Sequence, residues 1–249
     1  MIFLVAAFEQ SVWMEALKLQ RQLNRSSVVR NERMTAIAGT ILFILIVTQL
    51  IITANLHALL SVHIFVGVLL SGPIVIKMFS TGFKFVRYYT RNPIFVKSGT
   101  PNIWLRLLAP FLVLMTLLVF ISGFSLAIIG PTHMGLFFTI HAASVAIWLP
   151  LVAVHIYAHI RRATRVTFSD LRQHTSFRVK GRNGRLGINL AGLIMGAIAA
   201  MVMIPVSETW DHWRISPGFP IPLTLGLFAA VFGVFIATPL LRGVNKEQQ

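Results

Sequence analysis

Apolar stretches of about 20 residues recur along this chain, and they constrain its fold more than any other feature, because a helix that crosses a bilayer needs about that length. The expected spans cover roughly 35–55, 58–79, 107–129, 137–159, 187–206 and 221–240. Charged residues make up only 12% of the chain and the mean hydropathy is +0.77, whereas soluble domains carry about 25% charged residues. The sequence therefore predicts an all-α integral membrane bundle of about six transmembrane helices.

The basic residues are distributed unevenly between the expected loops. The net charge is +15, and all but one of the 22 lysines and arginines fall on one side of the expected topology. Cytoplasmic loops of membrane proteins carry such an excess, so this side and both termini are predicted to be cytoplasmic. Arg214 is the single outer cation. Topology and the lipid bilayer account for the positive charge, and no nucleic-acid partner is indicated.

Histidines are the ionisable side chains that stand out within the expected spans, which contain no Asp or Glu. His63 lies in the second span, and His141, His155 and His159 lie in the fourth. His141 and His155 are fourteen residues apart, which puts them on one helix face about 21 Å apart along the axis. The second and fourth spans run in the same direction, so His63 and His141 reach the same outer level. Together they could supply both axial ligands of one haem b.

This pattern resembles the bacterial transmembrane cytochrome b subunits, such as the gamma subunits of formate dehydrogenases and the cytochrome b subunits of Ni–Fe hydrogenases. The resemblance covers roughly residues 35–165 and depends on His63, His141 and His155. It implies iron held as haem b, electron transfer between a redox partner subunit and the quinone pool, and location in the bacterial inner membrane. Quinone or quinol is an implied further ligand. The chain would then be the electron-transfer subunit of a larger complex rather than a catalytic chain by itself.

One position departs from the family pattern. The family would place a second ligand fourteen residues after His63, where Lys77 stands. Three interpretations remain open: Lys77 ligates iron, His155 or His159 uses another partner, or the chain holds only the outer haem and Lys77 extends to the cytoplasmic surface. One haem b is expected, with a second left open. Arg214 is the candidate partner of an outer haem propionate.

The chain is expected to divide into four regions. These are an N-terminal cytoplasmic or interfacial segment with a short helix (1–34), a four-helix haem-binding core (35–165), a basic cytoplasmic loop (166–186), and two further helices with a tail (187–249).

Other classes of function compete with the cytochrome interpretation. A transporter could use the histidines as a proton relay, although the spans lack carboxylates. A structural anchor subunit of a larger membrane complex needs no cofactor. A non-haem di-iron enzyme would need more clustered ligands than His155 and His159. Because the chain has no cysteine, it cannot hold a covalent c-type haem or a cysteine-ligated iron–sulfur cluster.

Overall fold

The computed structural model is built from α-helices across the part of the chain that it describes. It describes residues 2–97, 102–172, 179–210, 213 and 220–241, with only the backbone for residues 2–26 and 97. The helices are α1 (Ile2–Ala54), α2 (Leu56–Tyr89), α3 (Pro93–Lys97), α4 (Ile103–Ile129), α5 (Gly135–Leu171), α6 (Arg182–Val202), α7 (Ile204–Ser207) and α8 (Ile221–Leu240). Within these ranges, six helices are long and apolar enough to cross a membrane. The predicted all-α bundle is confirmed.

The N-terminal region differs from the sequence prediction. A short interfacial helix before the first span was expected, but α1 runs without interruption from Ile2 to Ala54. Helices α2 and α5 also extend well past their predicted spans, with 34 and 37 residues. At 1.5 Å per residue these helices are about 51 and 56 Å long, whereas a hydrocarbon core is about 30 Å thick. Their ends therefore project beyond the apolar layer.

Helices α1, α2 and α5 form the centre of the bundle, and α4 packs on α5. Helix α5 packs against α1 and α4, and α2 packs against α1. Leu42, Ile46, Leu70 and Val152 make a buried apolar cluster where α1, α2 and α5 meet. Helix α6 packs on the outside of α2, and α8 packs on the outside of α5.

Three glycines bring the backbones of α2 and α6 into direct contact. A Cβ added to Gly72 would overlap the carbonyl of Gly192, and one added to Gly196 would overlap the carbonyl of Leu69. In a membrane, where lipid solvates apolar side chains as well as protein does, such small residues allow the close packing that holds helices together. The glycines therefore fix how α6 docks on the central helices.

Polar side chains join the helices at the end of the bundle predicted to be cytoplasmic. Asp170 on α5 is 3% exposed and pairs with Arg33 of α1 and Arg185 of α6, each at 2.7 Å. Nearby, the Thr35 hydroxyl donates to Ser80 Oγ at 2.9 Å. This polar layer marks one end of the apolar core.

Candidate functional site

The structure brings His63 and His141 together, as the sequence predicted. His63 projects from α2 and His141 from α5, and their ring centroids are 6.5 Å apart with the planes at 85°. Both side chains are half-buried inside the bundle. The rings therefore face each other without stacking or direct bonding.

The hydrogen bonds of His141 define which ring nitrogen carries its proton. Nδ1 lies 3.1 Å from the carbonyl oxygen of Val119 on α4. A carbonyl only accepts, so Nδ1 must be the protonated donor. Ser122 Oγ is also 3.1 Å from Nδ1, and its own hydroxyl proton is directed to the Leu118 carbonyl. Nε2 of His141 is then the unprotonated nitrogen, which is the form that binds metal.

Helix α1 supplies the partners of His63. Nδ1 of His63 lies 3.0 Å from Thr53 Oγ1 and 2.9 Å from Gln49 Nε2. The Gln49 amide also donates to the backbone carbonyl of His63 at 2.9 Å. Gln49 Oε1 is buried and has no hydrogen-bond partner among the described residues. On both histidines, the hydrogen bonds of the described residues engage Nδ1 and leave Nε2 for another ligand.

The spacing of the two rings fits a shared iron. With metal–nitrogen bonds of about 2 Å, which are usual for imidazole, two axial histidines have ring centres about 6 Å apart. Gly123 of α4 lies against His141, where an added Cβ would be only 3.1 Å from Cε1. A larger residue there would push on the ring, so Gly123 gives the imidazole room. The ring separation and the proton placement on His141 are compatible with a metal ion shared by the two imidazoles.

A second group of polar side chains lies nearer the end of the bundle that is predicted to be cytoplasmic. The rings of His155 and His159 on α5 are 4.8 Å apart. Lys77 of α2 is close enough to interact electrostatically with both. Its Nζ donates to the carbonyl of Thr35 on α1 at 3.2 Å, and a Cβ on Gly39 would lie 2.8 Å from Nζ. Lys77 is thus directed towards α1, and the ring contact of His155 is with a residue of its own helix.

The outer end of the bundle is described only in part. Arg214, the predicted propionate partner, lies outside the described residues. Trp210, in a turn that packs against α2, is 5% exposed, and its Nε1 has no hydrogen-bond partner among the described residues. Trp213 packs edge-on against Trp210, with ring centroids 5.3 Å apart. A buried N–H donor is therefore available near the outer end of α2.

Several residues of the site were missed by sequence reasoning. Gln49 and Thr53 are four residues apart on one face of an apolar span, a signal that could have marked them. Ser122 and Gly123 carry no comparable pattern. Gly39 leaves room for Nζ of Lys77, but this role depends on the direction of the Lys77 side chain, which only the packing of α1 on α2 decides.

A multi-ligand metal centre of the di-iron type is not present within the described ranges, where no three His, Cys, Asp or Glu side chains cluster.

Comparisons of the chain with protein-family models, with curated proteins and with solved structures found no significant match.

Proposed function

We propose that this protein is a membrane-embedded b-type cytochrome in which His63 and His141 would hold one haem b. The observation that carries the proposal is the 6.5 Å separation of the two rings, on facing helices, with both Nδ1 atoms engaged by the protein. Ligating histidines typically donate through their second nitrogen, and His141 does so to Val119, whereas Nδ1 of His63 has both an acceptor, Thr53, and a donor, Gln49, within reach.

Haem b supplies one-electron redox chemistry, while the protein controls its ligands and surroundings. His63 and His141 provide the two nitrogens, and Val119 and Thr53 orient the rings through Nδ1. The apolar cluster around Leu70 lies between the outer and inner levels and keeps that part of the bundle dry. Nε1 of Trp210, which has no hydrogen-bond partner within the described part of the chain, could donate to a propionate carboxylate at the outer end.

The residues at the inner level favour one haem per chain rather than two. Lys77 Nζ donates to the Thr35 carbonyl at 3.2 Å, so its nitrogen is directed to the backbone of α1. Without a ligand from α2, His155 lacks a facing partner. His155, His159 and Lys77 then serve as a polar cluster on the inner side of the haem.

The resemblance to the membrane cytochrome b subunits suggests what the haem would do. The chain would pass electrons between a redox partner subunit and the quinone pool in a bacterial inner membrane. Connections between the apolar helices are too short for a catalytic domain. Substrate chemistry would therefore belong to the partner, and this chain would be the electron-transfer subunit.

Optical spectroscopy of the purified full chain in detergent tests the proposal. We expect a dithionite-reduced b-type spectrum and one haem per chain by pyridine haemochrome. His63→Ala and His141→Ala should each lose most of the haem. His57→Ala and His133→Ala are matched controls, because both side chains are exposed near the outer end and should leave the haem content unchanged.

Two results would contradict the proposal. A colourless wild-type protein, expressed with an adequate haem supply and folded by size-exclusion chromatography, would favour a transporter or an anchor subunit. Retention of full haem content in both His63→Ala and His141→Ala would show that any bound haem is held elsewhere.

A further inference from the structure

We propose that Thr53 is the positioning residue that makes His63 competent to bind iron. Its hydroxyl oxygen accepts a hydrogen bond from Nδ1–H of His63, which leaves Nε2 unprotonated. This inference rests on the proposed haem function and adds a specific role for helix α1, which contributes no ligand itself.

The hydrogen bonds of Thr53 determine its direction. Its hydroxyl lies 2.6 Å from the carbonyl oxygen of Gln49, one turn earlier on α1, and must donate its single proton there. The same oxygen lies 3.0 Å from Nδ1 of His63, and while its proton is donated to the Gln49 carbonyl it accepts from the ring. A relay results, from the Nδ1 proton of His63 through the hydroxyl to the Gln49 backbone.

The side chain of Gln49 favours the opposite tautomer. Its Nε2 is 2.9 Å from the same Nδ1, and an amide nitrogen only donates. When Nδ1 carries the proton, it donates to Thr53. When the proton is on Nε2 instead, Nδ1 accepts from Gln49. Iron binding at Nε2 is compatible with the first arrangement alone. The two residues of α1 therefore have opposing effects on one imidazole.

The strength of the Thr53 contact should be visible in the haem potential. A hydrogen bond from Nδ1–H to an acceptor raises the basicity of the imidazole, which stabilises ferric more than ferrous iron. Removing the acceptor should lower the relative affinity for the ferric form by about tenfold. For a one-electron couple that corresponds to a midpoint potential about 59 mV higher.

The test compares four variants of the full chain in detergent by redox titration and pyridine haemochrome. Thr53→Val removes the hydroxyl at nearly constant shape, and we expect a raised potential or a lowered haem content. Thr53→Ser restores the hydroxyl and should restore wild-type values. Thr48→Val is the matched control on α1, since its exposed hydroxyl bonds only to the Ile44 carbonyl. Gln49→Met removes the competing donor and should keep the haem without raising the potential.

The outcomes separate this inference from the function on which it rests. A wild-type protein without haem overturns both. A haem-containing wild type with unchanged potential and haem content in Thr53→Val overturns the role of Thr53 alone. A potential raised by Gln49→Met also overturns it, because Gln49 would then be the partner that ligation requires. This last variant decides the question even if Thr53→Val does not accumulate as folded protein.

Discussion

Replacing Asp170 by alanine should destabilise the protein strongly, because Arg185 and Arg33 both lose their counter-charge and Arg185 is buried. Arg185 is 4% exposed and binds the carboxylate through two nitrogens, Nε at 3.0 Å and Nη2 at 2.7 Å. Removing one partner of a buried ion pair typically costs about 3–5 kcal/mol. Arg185 keeps one good hydrogen bond, from Nη1 to the Lys180 carbonyl at 2.9 Å. We therefore expect a loss near the lower limit, about 3 kcal/mol.

A surface ion pair of the same chain provides the control. Glu32 pairs with Arg162 at 2.6 Å, but the two side chains are 34% and 49% exposed. Water can replace this partner, so Glu32→Ala should cost at most about 1 kcal/mol. Unfolding in detergent, followed by tryptophan fluorescence during titration with SDS or urea, gives the free energies of unfolding of both variants.

A second substitution checks the cause of the loss. Combining Asp170→Ala with Arg185→Met removes the more deeply buried of the two stranded charges, because the other, Arg33, is 14% exposed. Buried ion pairs are often replaced by apolar residues without net cost. The double variant should therefore be more stable than Asp170→Ala alone. The reasoning is refuted if Asp170→Ala and Glu32→Ala cost the same, or if the double variant is the least stable of all.

Three further predictions concern packing, the inner level and the core. Gly196→Leu should weaken the docking of α6 on α2 and lower the free energy of unfolding by about 3 kcal/mol or more. Gly187→Leu on the same helix enters open space and should be tolerated, and the unfolding titration compares the two variants. Lys77→His places an imidazole on the inner level near His155, and the number of haems per chain measured by pyridine haemochrome should rise from one towards two. A ratio that stays at one would mean that Lys77 does not set the stoichiometry. Trp148→Phe removes the 2.9 Å hydrogen bond from Nε1 to Thr116 between α5 and α4 and should cost about 1 kcal/mol, which an equal loss in Thr116→Val would corroborate.

Much of the fold was predictable from the sequence, because a bilayer imposes simple rules on a chain. Apolar runs of bridging length must become helices, since unpaired backbone groups are too costly in hydrocarbon. The six spans follow from this rule. So does the pairing of His63 with His141, because two parallel helices carry residues at known heights. Helix ends were less well predicted, since α1, α2 and α5 continue into regions where hydropathy gives no signal.

Tertiary structure alone decided which face of each helix meets which neighbour. Helical periodicity gives the angle of a side chain around its own axis, but not the partner that lies there. For this reason the sequence placed Lys77 at the correct height without revealing that it donates to the Thr35 backbone beside Gly39. It likewise placed two histidines opposite each other, whereas the hydrogen bonds that orient His63 come from α1, a helix with no histidine in its apolar part.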